Sequence, residues 1–453
     1  MSGTSGAAEL TAAYVEECQA GKSGLGGVMR SVRERLNEPM RVSVGDRLLH
    51  RPLFADRREL DAFAADAAAI FDLIVSLPER LFGDDLFAYC AAIAMPFGLV
   101  PVALRGYSRA TEPMYGRADM YHDGTRFQLL EFNVTSMLGG VDRGGEIPRL
   151  VAETEAFRRF AGDRDVGFVH PAQRLAATLH KLAAPLAGGR DPAVAMLQLG
   201  RLPPGSADYQ GRLSLRQLLR GFGINARLGY LDEVEERNGR LYLADGPVDV
   251  VLRLFACYEL LAEPGGRQLA EPVFRTAEQG GVVLWTPLTS VLFMNKRCLA
   301  LLSEPRYRDR FSAQERAVID RVVPWTRCLD ASTEPATLAQ WQRDKDNLVI
   351  KPGSSHSGEG FVAGWLSTGQ EWAQALASAA RAGAVVQRRL VPHKEPVVNP
   401  DTGELEHWHA AWGMFLTPDG YAGTYIRSLP ADAGPVIAVN SDPGTRVGGV
   451  FTT

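Results

Sequence analysis

Arg117-Ala118-Asp119 and, twelve residues beyond the aspartate, Glu131-Phe132-Asn133 constrain this chain more than any other stretch in it. Alternate residues of a strand point to one face. If residues 115–122 and 127–133 are neighbouring strands joined by the His122-Asp123-Gly124 turn, Arg117 and Asp119 share a face, Glu131 and Asn133 share a face, and the four side chains converge. Magnesium prefers carboxylate and amide oxygens and keeps places open for phosphate oxygens, so Asp119, Glu131 and Asn133 beside Arg117 read as a metal–nucleotide site. Taken without the rest of the chain, the pattern also suits an exposed hairpin with ordinary surface charges.

At 453 residues the chain is too long for one core and predicts two or three domains. An apolar content of 46% with 23% charged residues is that of a soluble globular protein. The formal net charge of −4 offers no basic footprint, which argues against a nucleic-acid partner. Only six lysines occur, so positive charge is carried mostly by arginine and any lysine in a strand or small-residue loop stands out. Five dispersed cysteines without a CxxC pair predict reduced core thiols and a cytoplasmic location. No signal-peptide pattern is visible, and the longest apolar segment, Cys90 to Leu104, holds Pro96, Gly98 and Pro101 and is too short to span a bilayer.

Apolar spacing predicts a helical region over 1–90, with Leu60, Phe63, Ala64, Ala67, Ile70 and Phe71 on one face. Residues 91–190 turn strand-like from 97 to 135 and then helical, over Ile147–Phe160 and Ala172–Leu186. Residues 191–281 read as a βαβ unit: a buried-type strand at 193–199, a helix over Ser214–Phe222, a strand over Ala226–Leu231, an Asn238-Gly239 hairpin turn and a strand over Val248–Phe255. Residues 282–453 supply strands near 282–286, 347–351, 384–390, 408–416 and 421–427, and end in a Gly-rich polar tail.

Three further stretches carry chemistry. Leu348-Val-Ile-Lys351-Pro-Gly-Ser354-Ser355-His356-Ser357-Gly358-Glu359-Gly360 is a strand ending in lysine, then a small-residue loop whose backbone N–H groups can close over phosphates. Asn295-Lys296 places another rare lysine near a helix start, electrostatically the wrong end for a cation unless an anion binds nearby. Gln387, near the end of a buried strand, offers an amide able to read an adenine edge. Two motifs are set aside. Gly21-Lys22-Ser23 lacks the earlier glycine of a phosphate loop, where Glu16 stands, and His407-Trp408-His409 has no third metal ligand at useful spacing.

In their order along the chain these pieces resemble the circularly permuted ATP-grasp enzymes, specifically the glutathionylspermidine synthase-like group. The resemblance covers about residues 85–453. Its metal pattern matches Arg117, Asp119, Glu131 and Asn133. Its lysines match Lys296 after Asn295 and Lys351 before Pro352, its small-residue loop ends at Glu359-Gly360, and Gln387, the Gly423–Arg427 strand and Asn440 follow. One departure stands in the loop: Gly358 occupies the place of an arginine, for which His356 or Ser357 could stand in.

The resemblance implies a mixed α/β (α+β) fold, a circularly permuted ATP-grasp with a preATP-grasp βαβ domain and a helical N-terminal region. It implies an ADP-forming carboxylate–amine ligase that uses ATP and Mg²⁺ and passes through an acyl phosphate. Small amino-acid-like carboxylate and amine substrates are expected, with no nucleic acid or membrane partner; a homo-oligomer is permitted. The expected roles are Asp119, Glu131 and Asn133 for metal; Lys296, Lys351, Ser354, Ser355, Ser357, Gly358 and Gln387 for nucleotide; Arg117 and Arg427 for the transferred phosphoryl group and the oxyanion. Thr135, Ser136, Arg253, His356 and Asn440 are the substrate candidates. A kinase releasing a stable phosphorylated product, or a non-catalytic nucleotide-binding protein, is the alternative.

Overall fold

The computed structural model describes residues 6–105, 115–244, 246–354 and 358–453. Its centre is a six-stranded antiparallel sheet in the order Arg446–Gly448, Gly420–Pro430, Leu405–Thr417, Gly116–His122, Phe127–Val134, with Lys394–Val398 paired to the first half of Leu405–Thr417. Alternation gives the two site strands a dry face and a polar face. Ala118, Met120, Phe132 and Val134 point into the core, against the 26-residue helix Arg57–Phe82. That helix starts where the Asp56 side chain accepts from Glu59 N and stops at the left-handed Gly83, and its buried Leu60, Phe63, Ala67, Ile70 and Ile74 recur at helical spacing. Phe63 meets Phe127 and Phe71 meets Phe132, with ring centroids 5.7 and 5.6 Å apart. Full burial of each such ring is worth roughly 1.5–3 kcal/mol, enough to fix which face of the sheet is dry.

The βαβ unit is a four-stranded parallel sheet in the order Val283–Trp285, Val250–Arg253, Ala193–Gln198, Asn225–Tyr230. Its helix begins at Ala207 rather than Ser214, because the Ser206 side chain caps it by accepting from Tyr209 N. The Val283–Trp285 strand pairs with Val250–Arg253, so this sheet runs past residue 281. At the hairpin between Val234–Arg237 and Arg240–Leu243, Asn238 and Gly239 take φ of 52° and 71°, as the sequence required.

A four-stranded antiparallel sheet, ordered Thr326–Leu329, Ala384–Arg388, Leu348–Lys351, Val362–Ala363, carries Lys351 and Gln387, with the helices Pro335–Arg343 and Gly369–Ala382 in the same part of the chain. Two expectations are corrected. The stretch from 97 is not extended: Phe97–Leu99 and Val100–Ala103 are helical turns, with Pro101 in the first turn where its missing N–H costs nothing. The C-terminal tail is not a loose polar segment, since Val450–Thr452 is a buried strand parallel to Leu53–Ala55.

Candidate functional site

The strand register puts the four opening residues together. Asp119 lies opposite Glu131 and Arg117 opposite Asn133, with a bulge immediately beyond, between Asp119 and Met120. In an antiparallel pair, opposed residues share a face. Arg117 grips Asp119 with two parallel hydrogen bonds, Nε to Oδ1 at 2.6 Å and Nη2 to Oδ2 at 3.0 Å. From the next strand but one, Arg427 Nη2 reaches the same Oδ2 at 2.8 Å, and Asn133 Nδ2 donates to it at 3.2 Å. Lys296 Nζ lies 3.1 Å from Glu131 Oε2. Burial alone would raise the Asp119 carboxyl, but the Arg117 and Arg427 guanidiniums hold it below the usual carboxylate range. Burial and Lys296 act on Glu131 in the same opposed way, and Lys296 prevails.

Across the cavity, Lys351 Nζ donates to Gln387 Oε1 at 2.7 Å, and Gln387 Nε2 donates to Thr326 Oγ1 at 3.1 Å. Each end of the amide expected to read an adenine edge thus carries one hydrogen bond, and Gln387 orients Lys351. Burial lowers the Lys351 ammonium to about 8, with Glu131 opposing and Lys296 adding to the fall. Lys296 N donates to Gly353 O at 2.8 Å, joining the Asn-Lys turn to the small-residue loop. Asn295 shapes that turn, donating to Ile93 O and accepting from Arg297 N.

A cavity of about 760 Å³ joins these groups, a size normal for a small-molecule site. Arg117, Asp119, Glu131, Asn133, Lys296, Lys351, Gln387 and Arg427 all line it, as do Thr135, Ser136, Arg253, Ser354, Gly358 and Asn440. Ser355, His356 and Ser357 lie outside the described residues. Gly358 has φ of 77°, and a Cβ there would lie 2.5 Å from Val436, so the loop's far end approaches the 435–440 segment closely.

Two substrate candidates that line the cavity also hold joints between elements. Arg253 donates to Thr286 O at 2.8 Å, to Ser290 Oγ at 3.0 Å and to Phe255 O. Ser136 Oγ donates to Arg253 O at 2.5 Å, and Ser136 N donates to Thr286 Oγ1, tying the end of the Glu131 strand to the parallel sheet. Thr135 Oγ1 accepts from Met137 N at 3.1 Å, while Asn440 is exposed.

Sequence reasoning missed Gly413, Gly140 and Tyr425. Gly413 stands opposite both Asp119 and Tyr425, and a Cβ there would lie 2.8 Å from Arg117 Cδ and from the Tyr425 ring. Gly140, at φ 92°, lets the chain pass over that ring, where a Cβ would come within 2.5 Å of Tyr425 Cζ. The guanidinium carbons of Arg117 and Arg427 lie 5.5 and 5.7 Å from the ring centre. A lone glycine inside an apolar strand was the available signal.

The donor set suits a hard cation. Asp119 and Glu131 face each other and Asn133 adds an amide; among the described residues no cluster of three His, Cys, Asp or Glu side chains forms, here or elsewhere. Such a set leaves coordination places for phosphate oxygens. Lys22 is exposed, and His407 and His409 lie on the strand paired with Lys394–Val398. No helix is long and apolar enough to cross a membrane among the described residues.

A family model described as glutathionylspermidine synthase preATP-grasp matches residues 51–438. Among solved structures, a glutathione synthetase-like effector (GSS30) from Globodera pallida, in its apoform, superposes with a TM-score of 0.56 at 15% identity, covering 90% of each chain. A crystal structure from Methylobacillus flagellatus KT, carrying the provisional name gamma-glutamylcysteine synthetase, gives a TM-score of 0.42 at 11% identity over 82% of this chain and 85% of its own. The first likeness supports the fold. A comparison with curated proteins finds no match.

Proposed function

The chain belongs to the glutathionylspermidine synthase preATP-grasp family, and from that premise we propose that it is an ATP-dependent, ADP-forming ligase joining a small carboxylate to an amine. The observation that carries the reading is the opposed Asp119–Glu131 pair, set in one cavity between two arginines and two lysines. Such a site can work without a covalent nucleophile. It has what phosphoryl transfer needs, which is fixed charge and positioning.

In this reading Lys296 and Lys351 hold the phosphates of ATP, and the loop through Ser354 and Gly358 covers them and excludes water. Asp119, Glu131 and Asn133 would hold Mg²⁺, which when bound neutralises phosphate charge. The substrate carboxylate attacks the γ-phosphorus, breaking its bond to the β–γ bridging oxygen and giving ADP and an acyl phosphate. The amine then attacks the acyl carbon, phosphate leaves, and the amine's proton passes to solvent. Arg117 and Arg427 are poised to stabilise the transferred phosphoryl group and the tetrahedral oxyanion, with Asp119 and the Tyr425 ring fixing their orientation. Gln387 acts by holding Lys351 in place.

The test is release of ADP and phosphate from Mg-ATP by the purified chain with paired pools of amino acids and amines, the products being read by mass spectrometry. Amine-dependent turnover, giving a product equal to the two substrates less one water and lost in Glu131→Ala, is the expected result. A stable phosphorylated acid formed without an amine would replace the ligase with a kinase.

A further inference from the structure

The cavity runs on past the phosphate-holding groups to an end walled by residues that precede the family match at 51–438. Ser43, in the helix Glu38–Val44, and Arg47 line it, together with Arg143 at the start of the helix Arg143–Ala152. The chain from 140 to 144 lies tightly on the Tyr425 ring that Arg117 and Arg427 flank. Gly144 N donates to Gly140 O at 2.8 Å, and Cβ atoms at these two glycines would sit 3.1 Å from Tyr425 Cβ and 2.5 Å from Tyr425 Cζ. The Arg143 backbone is therefore one residue from contact with Tyr425, and its guanidinium stands one side chain further along the cavity.

Two guanidiniums are held by Ser43. Arg143 Nη2 donates to Ser43 Oγ, and Arg47 Nη2 donates to Ser43 O at 3.3 Å. Arg47 also donates to Val44 O at 3.3 Å and to Val439 O at 3.0 Å, which fixes the 435–440 segment that lines the same cavity. Ser43 is buried against the helix Ala207–Gly221, where a Cβ on Gly211 would lie 3.1 Å from Ser43 Oγ and 3.8 Å from Arg143 Nη2. The bare glycine leaves room for the hydroxyl that holds Arg143.

Every one of these partners is neutral. Among the described residues neither Arg47 nor Arg143 has a carboxylate at ion-pair distance; Asp46 pairs with Arg33, and Asp142, buried and adjacent in sequence to Arg143, forms no ion pair. A guanidinium carries five N–H donors, so Arg143 with one bond and Arg47 with three both keep donors free. Arg143 Nε is unpartnered and closed to solvent, whereas Nη1 is unpartnered and open. Two half-buried cations side by side with only neutral partners are complementary to an anion and hostile to a polycation. We propose that this end of the cavity holds, on Arg143 and Arg47, a carboxylate that does not react, carried by one of the two substrates. That substrate is an amino acid, a peptide or a dicarboxylic acid whose reacting group faces Arg117 and Arg427. The inference deepens the ligase reading and rests on it.

The test reads binding rather than turnover. The full chain with Mg²⁺ and a non-hydrolysable ATP analogue is titrated, by saturation-transfer NMR, with the proteinogenic L-amino acids, their dipeptides with glycine, succinate and glutarate, with the carboxamide form of each, and with spermidine. At least one carboxylate compound is expected to bind, and its carboxamide should bind roughly tenfold or more weakly. Arg143→Gln should cause the same loss for the carboxylate while the carboxamide binds both proteins alike, because amidation has already removed the interaction. Ser43→Ala, which frees Arg143 without removing it, should cause a smaller loss. Retained binding of the nucleotide analogue verifies that each variant folds. Binding of spermidine alone, equal binding of carboxylate and carboxamide forms, undiminished carboxylate binding by Arg143→Gln, or no carboxylate binding at all overturns the inference. Failure of the nucleotide analogue to bind the unaltered chain would instead strike the ligase reading, and the two failures are read separately in one sample.

Discussion

Lys351 is the residue whose chemistry the fold changes most usefully. Its ammonium sits at about 8 because burial and the neighbouring Lys296 disfavour the charge more than Glu131 supports it. Triphosphate oxygens would restore the charge, so nucleotide binding above pH 8 must take up a proton. The sign follows: affinity for an ATP analogue is level below about pH 8 and falls as pH rises further, by up to about tenfold per unit. Calorimetry in buffers of different ionisation enthalpy should register proton uptake at pH 9 and none at pH 7. In Lys351→Met the uptake should vanish and affinity at pH 7 should drop. Proton uptake surviving in that variant would assign the titration to another group.

At the scale of elements, the site depends on three strands approaching closely enough for Arg117, Asp119, Tyr425 and Arg427 to touch. Gly413 permits this. Gly413→Ala is expected to push Arg117 and the Tyr425 ring apart, lowering turnover on the order of a hundredfold and stability by about 1–3 kcal/mol. Full activity in that variant would show that the arginine pair does not need its present geometry. The convergence of Arg117, Asp119, Glu131 and Asn133 was legible in the sequence because period-two alternation is local and a single hairpin turn sets the register. Lys296 and Lys351 were legible because lysine is rare in this chain. The engagement of Gln387 with Thr326, and of Arg253 with Thr286 and Ser290, was not, since those partners come from strands and turns whose pairing no local pattern specifies.

Across the whole molecule, the first and last strands close on one another. Leu53–Ala55 pairs in parallel with Val450–Thr452, and Phe451 stacks on Phe157 with ring centroids 4.6 Å apart. Sequence could not show this pairing, because the two partners are separated by nearly the full chain. Removing residues 450–453 is expected to cost on the order of 3–5 kcal/mol, the range for losing a buried aromatic side chain, and to be seen as a lower urea midpoint. An unchanged midpoint would mean that the closure contributes nothing. The central claim is that a carboxylate is activated by phosphoryl transfer before an amine arrives, and the most direct measurement labels that carboxylate with ¹⁸O. With the substrate pair found by the pooled assay, one ¹⁸O should pass into each phosphate released, in step with condensed product. Phosphate carrying no label, with or without ADP release, would contradict the account.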